Sequence, residues 1–123
     1  MKYVILIRHN LKALELWASM PAEQRAEGLA AYAALNEELA ASGELVVTQA
    51  LAHPSTAKVV SVRDGEVIAG DGPYAEIKEH LAGFYLIECD DIDRAVQVAA
   101  RIPEAEFVEI EVRPVLDHLS VDM

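Results

Sequence analysis

The stretch Asp71-Gly72-Pro73-Tyr74, followed at once by Glu76, Lys78 and His80, concentrates carboxylates, an amine and an imidazole within a few residues. An aspartate here accepts hydrogen bonds from backbone amides two residues on, glycine admits an unusual backbone angle, and proline suits the first turn of a short helix. Such a helix start offers free N–H groups and sets Glu76 and His80, four residues apart, on one face. The pattern suits the polar wall of a ligand pocket. It suits equally an architectural corner in which Asp71 caps a turn, and the residues alone leave both roles open.

Outside that stretch, His53 with Ser55 and Thr56 sets one imidazole and two hydroxyls in a loop, a set that can hydrogen-bond a small anionic or carbonyl ligand. Solvation accounts for a loop histidine just as well. His9 follows Arg8 at the end of an apolar run, and His118 stands beside Asp117 near the C-terminus, a pair with the residue types for acid–base work. Tyr32 fits the buried side of a helix, where its hydroxyl needs a partner. Trp17 lies in a polar connecting segment, as packing or as pocket lining. The four histidines show no pair at metal-ligand spacing on one expected element, and no serine-hydrolase elbow, dinucleotide fingerprint or phosphate loop occurs. The expectation is therefore no metal and no cofactor. Catalytic candidates are Asp71, His53 and Tyr32, and ligand-contact candidates are Asp71, Pro73, Tyr74, Glu76, Lys78 and Ser55.

Ten Lys and Arg against 21 Asp and Glu give a net charge of −11, which repels a nucleic-acid backbone and an anionic membrane surface. Cys89 is the one cysteine; it lies in an apolar run and reads as a small hydrophobe, with no internal disulfide available. The apolar segment after Lys2 stops at Arg8, too short for the core of a signal peptide, and nowhere do about eighteen apolar residues run together. A soluble cytoplasmic protein is the expectation. At 123 residues the chain reads as one domain, 1–123, able to bury its own core.

The elements that must position these side chains follow from periodicity. Tyr3 to Ile7 is apolar at odd and even positions alike, which predicts a strand covered on both faces. A helix is predicted from Ser19-Met20-Pro21 to Ser42, stopped by Gly43, with Leu29, Tyr32, Ala33, Leu35 and Leu39 as its buried stripe. Glu44 to Leu51 predicts a second strand. Lys58 to Arg63 and Glu66 to Ala69 flank Asp64-Gly65, the signature of a two-residue hairpin. Leu81 to Cys89 predicts a strand, Asp90 or Asp91 caps a second helix ending near Ile102, and Phe107 to Val115 predicts a last strand whose Pro114 suits an edge. The order is an α+β, ferredoxin-like β-α-β-(hairpin)-β-α-β with an antiparallel sheet. Two helices cover one sheet face, and the other, apolar along Tyr3–Ile7 and Phe84–Ile87, calls for a second copy of the chain.

Pro54-Ser55-Thr56, Arg63-Asp64-Gly65, Asp71-Gly72-Pro73 with Tyr74 in the usual place of phenylalanine, Glu76, Lys78-Glu79, Gly83-Phe84-Tyr85 and Arg113-Pro114-Val115 together resemble the YCII-related proteins of the DGPF type, nearly from end to end. The resemblance implies a ferredoxin-like chain that forms a dimeric α+β barrel, and it implies no particular reaction. Broader YCII-like relatives are held to be enzymes through a histidine on the first helix and an aspartate after the second. Tyr32 stands near the place of that histidine here, and Arg101-Ile-Pro-Glu-Ala-Glu106 follows the second helix without an aspartate. Two functions result. One is a small-molecule-binding protein or cofactor-free enzyme with its pocket near the Asp71–Tyr74 turn; the other is a non-catalytic dimeric binding or regulatory module.

Overall fold

The structure, a computed structural model, describes residues 1–72 and 79–117. Strand β1 (Lys2–Asn10) runs straight into helix α1 (Leu11–Ser19), because the Asn10 side chain accepts the Ala13 N–H at 2.7 Å and caps the first turn. Helix α2 (Ala22–Ser42) follows and stops at Gly43, whose φ of 79° favours a residue without Cβ. Next come β2 (Leu45–Ala50), β3 (Lys58–Arg63), β4 (Glu66–Asp71) and β5 (Glu79–Glu88). Helix α3 (Ile92–Ala100), capped by the Asp91 side chain, and β6 (Ile110–Pro114) are the last helix and strand among the described residues. The main sheet is antiparallel in the order β2-β5-β1-β6, with Pro114 on an edge strand. That is the ferredoxin-like order, and β3–β4 is a separate hairpin inserted between the second and third core strands. Its turn residues Asp64 and Gly65 both take positive φ, 51° and 80°, as a tight hairpin turn requires.

Strand alternation sorts the sheet into two faces. Tyr3, Ile5 and Ile7 of β1 pair with Ile87, Tyr85 and Gly83 of β5, and this face meets Leu35 and Leu39 of α2, Ala95, Val98 and Ala99 of α3, and Ile102. Ile110 and Val112 of β6 pack on the same core. The opposite face presents Val4, Leu6, Val47, Phe84 and Leu86, each partly exposed, with Val4 across from Leu86 and Leu6 across from Phe84. The hairpin adds a second open apolar surface, since Val60, Val62 and Val67 are 61%, 65% and 72% exposed.

Several details differ from the sequence expectation, three of them for a clear local reason. Leu11–Ser19 is helical rather than a connection; the cap at Asn10 starts it, and Ala13 is its one fully buried residue. On α2 the inward stripe runs Gly28, Tyr32, Leu35, Asn36 and Leu39, while Ala33 and Leu29 are exposed. An alanine-rich helix has too little polarity contrast to orient itself by pattern. The last strand begins at Ile110 rather than Phe107 because the N–H groups of Phe107 and Val108 both bond the Glu104 carbonyl, closing a 3-10 turn over Pro103–Glu106.

Candidate functional site

A cavity of about 580 Å³ opens at one end of the inner sheet face. Ile7, Thr48, Gly83 and Tyr85 line it from the sheet, Leu14 and Trp17 from α1, and Leu29, Tyr32 and Asn36 from α2. The segments Gln49–Pro54 and His80–Ala82, with His9, Ala13, Glu104 and Phe107, complete the described lining. Most of this surface is apolar, and the polar groups gather at definite places.

The first is the meeting of Tyr32, Glu104 and His9. Ile102 is fully buried and anchors the end of α3, Pro103 then opens the 3-10 turn, and Glu104 is thereby held against α2. Tyr32 donates its hydroxyl to the Glu104 carboxylate. Glu104 Oε2 lies 3.7 Å from His9 Nε2, and that nitrogen is buried without a hydrogen-bond partner among the described residues. The β1–β5 register shifts between Ile7 and Arg8, which brings His9 opposite His80, and Asn10 then fixes the exit of the strand. Burial, followed by the hydrogen bond and charge of Glu104, raises the Tyr32 hydroxyl far above the ordinary tyrosine range. Tyr32 is therefore a hydrogen-bond donor and not a base.

The second is Tyr85 with Asn36, one turn beyond Tyr32 on α2. Tyr85 donates to Asn36 Oδ1, and burial raises its hydroxyl as well. With its oxygen so engaged, the Asn36 amide keeps its N–H groups as donors. Thr48 gives its hydroxyl proton to the Phe84 carbonyl at 3.0 Å. A phenol, a carboxylate and an imidazole at one place in an apolar cavity are the residue types of general acid–base chemistry.

The sequence candidates fall in different places. Tyr32 is part of the central cluster. His53 lines the cavity, and its Nδ1 accepts the Ser55 N–H at 3.1 Å, which leaves the proton of the neutral ring on Nε2. Ser55 itself holds His53, with its Oγ 2.9 Å from the same nitrogen, and is not a lining residue. Asp71 ends β4 at the base of the hairpin, exposed and paired with Lys58, and is not among the lining residues. A pair this exposed contributes little: Asp71→Asn should change the unfolding free energy by under about 0.5 kcal/mol in urea denaturation. A loss above about 1 kcal/mol would mark Asp71 as a turn cap instead. Pro73, Tyr74, Glu76, Lys78 and His118 lie outside the described residues.

Glu104 and Asn36 were not among the sequence candidates. Asn36 carries one readable signal, an amide inside an apolar helical stripe; Glu104 carries only its place in the segment after the second helix where the resemblance has an aspartate, and its partner is 72 residues away. Three of the four histidines, His9, His53 and His80, line the same cavity, yet among the described residues no three His, Cys, Asp or Glu side chains converge as ligands for a metal ion. Where the resemblance has a histidine on one helix and an aspartate after the other, this chain has a phenol bonded to a glutamate.

Two comparisons bear on identity. Over 116 residues the chain is 31% identical to an uncharacterized protein of Rhizobium meliloti (strain 1021), an alignment covering 93% of this chain and 91% of the other. Residues 1–118 match the family model of the YCII-related domain. With a match of that extent, and a sheet order and hairpin in agreement with it, the chain belongs to the YCII-related family.

Proposed function

We propose that the chain is a small-molecule-binding protein whose cavity serves as a binding pocket or as the site of a cofactor-free enzyme. The observation that carries this is the Tyr32–Glu104–His9 cluster at one place in an otherwise mainly apolar cavity of about 580 Å³, a volume suited to a small organic ligand. In such a site Glu104 accepts a proton and Tyr32 donates a hydrogen bond, which is the equipment that proton transfer without a cofactor needs. Thermal unfolding against a library of small organic molecules tests it. A ligand at a hundredfold its Kd adds about 2.7 kcal/mol and raises the midpoint by several degrees. Tyr32→Phe should weaken that ligand about tenfold, and Asp71→Asn should leave it unchanged. Loss of the ligand in a folded Asp71→Asn protein would move the site to the Asp71–Tyr74 turn.

A dimeric module is favoured by a separate observation. The outer sheet face of Val4, Leu6, Val47, Phe84 and Leu86 and the valine face of the hairpin are two open apolar surfaces on one small chain, and a second copy is the partner that covers both. Sedimentation equilibrium should then give twice the 13.4 kDa chain mass, and Phe84→Lys should return it to that of one chain. A single-chain mass for the unaltered protein at micromolar concentration would end this reading. A cytoplasmic setting fits an acidic chain whose one cysteine is free. None of the helices among the described residues is long and apolar enough to cross a membrane.

A further inference from the structure

We infer that the cavity takes an organic cation, a protonated amine on an apolar, ring-bearing body. This rests on the cavity being a ligand site and names the class of ligand. Glu104 is the carboxylate that lines it, and its side chain is only 13% exposed. The group that reaches it by hydrogen bond is a neutral phenol, and His9 Nε2 stands at 3.7 Å, beyond hydrogen-bond distance. Among the described lining residues there is no Lys or Arg. The His53 ring spends Nδ1 on the Ser55 N–H.

A carboxylate drawn out of water needs a countercharge, and the described lining residues provide none that is permanent. An anionic ligand would meet a like charge there, inside a chain of net charge −11. A neutral ligand would leave the carboxylate as it stands. An ammonium group placed at Glu104 offsets the charge and donates to its carboxylate oxygens. Trp17, Tyr32, Tyr85 and Phe107 give the same cavity aromatic surface, which attracts cations and packs against rings.

The test uses the full chain and three probes that share one body: phenethylamine, phenethyl alcohol and phenylacetate, at neutral pH. Trp17, the single tryptophan, lines the cavity and reports binding by its fluorescence; calorimetry gives an independent Kd. The amine should bind at least about tenfold more tightly than the alcohol, and the acid at least about tenfold more weakly. Glu104→Gln should erase the advantage of the amine while the alcohol binds as before, which shows the variant cavity to be intact. Alcohol or acid binding as tightly as the amine overturns the charge selection and leaves the cavity a ligand site. No binding of any of the three at millimolar concentration overturns both.

Discussion

Leu39→Ala should lower the unfolding free energy by about 3 kcal/mol, and the thermal midpoint by about 10–15 °C. Leu39 is fully buried on α2 beside Leu35, in one core with Ile5 and Ile87 of the sheet and Val98 of α3. Truncation removes the transfer free energy of the lost methyl groups and leaves a cavity. The surroundings close it poorly, because the strands are tied by a ladder on either side and α2 is stopped at Gly43, whose N–H bonds Ala40. Leu29→Ala on the same helix is the control. Leu29 is 61% exposed, so its loss should cost under about 1 kcal/mol. Urea denaturation of the two variants side by side checks the claim. Equal losses would mean that α2 does not sit on the sheet through the Leu35–Leu39 side.

The second large effect is a pH dependence centred on Glu44. Its carboxylate takes two bonds from Arg94 of α3, Nε at 2.9 Å and Nη2 at 2.8 Å, and the residue joins two more elements by its backbone: its N–H bonds Leu39 at the end of α2, and its carbonyl accepts from Glu88 of β5. The Arg94 hydrogen bonds hold the Glu44 carboxyl at about 2, against the usual 4.5. A carboxyl with a lowered folded-state pKa stabilises the fold above its unfolded value and loses that contribution as pH falls toward its folded one. The contribution is therefore full above about pH 5 and fades between about pH 5 and pH 2. For a partly exposed bidentate pair it amounts to about 1–2 kcal/mol after solvent screening. Glu44→Gln should be less stable than the unaltered chain by that amount at neutral pH, and the two stability curves should converge on acidification. A gap that holds constant down to pH values near the folded pKa would show that the pair is not the origin of the difference. Glu38 beside Arg101 and Glu111 beside Arg8 are shifted in the same direction.

These two predictions differ in how visible they were before the fold was known. That positions 3 to 7 form a doubly apolar strand, that Asp64-Gly65 turns a hairpin, that Asp91 caps a helix and that Gly43 ends one are local facts. Each depends on side-chain alternation, positive φ or a cap within four residues, and the sequence by itself determined them, together with the ferredoxin-like element order they imply. The inward side of α2 was only partly legible. Tyr32, Leu35 and Leu39 read correctly as buried-side residues; Ala33 did not, because alanine is compatible with either side of a helix, and Leu29 lines the cavity yet stays exposed.

The candidate site was less legible still. Tyr32 and His53 were nameable as isolated residues, and nothing in their own neighbourhoods joined them. Only the tertiary structure set Glu104 against Tyr32, Glu44 against Arg94, and His9 opposite His80 in one cavity, across separations of 72, 50 and 71 residues. Such pairs obey no spacing rule, because their distance is set by sheet register and helix packing rather than by the chain between them. The Asp71 turn shows the converse. Its residue types are as suggestive as any in the chain, yet Asp71 faces solvent beside Lys58, since a hairpin base is decided by strand pairing and not by the chemistry of the residues that occupy it.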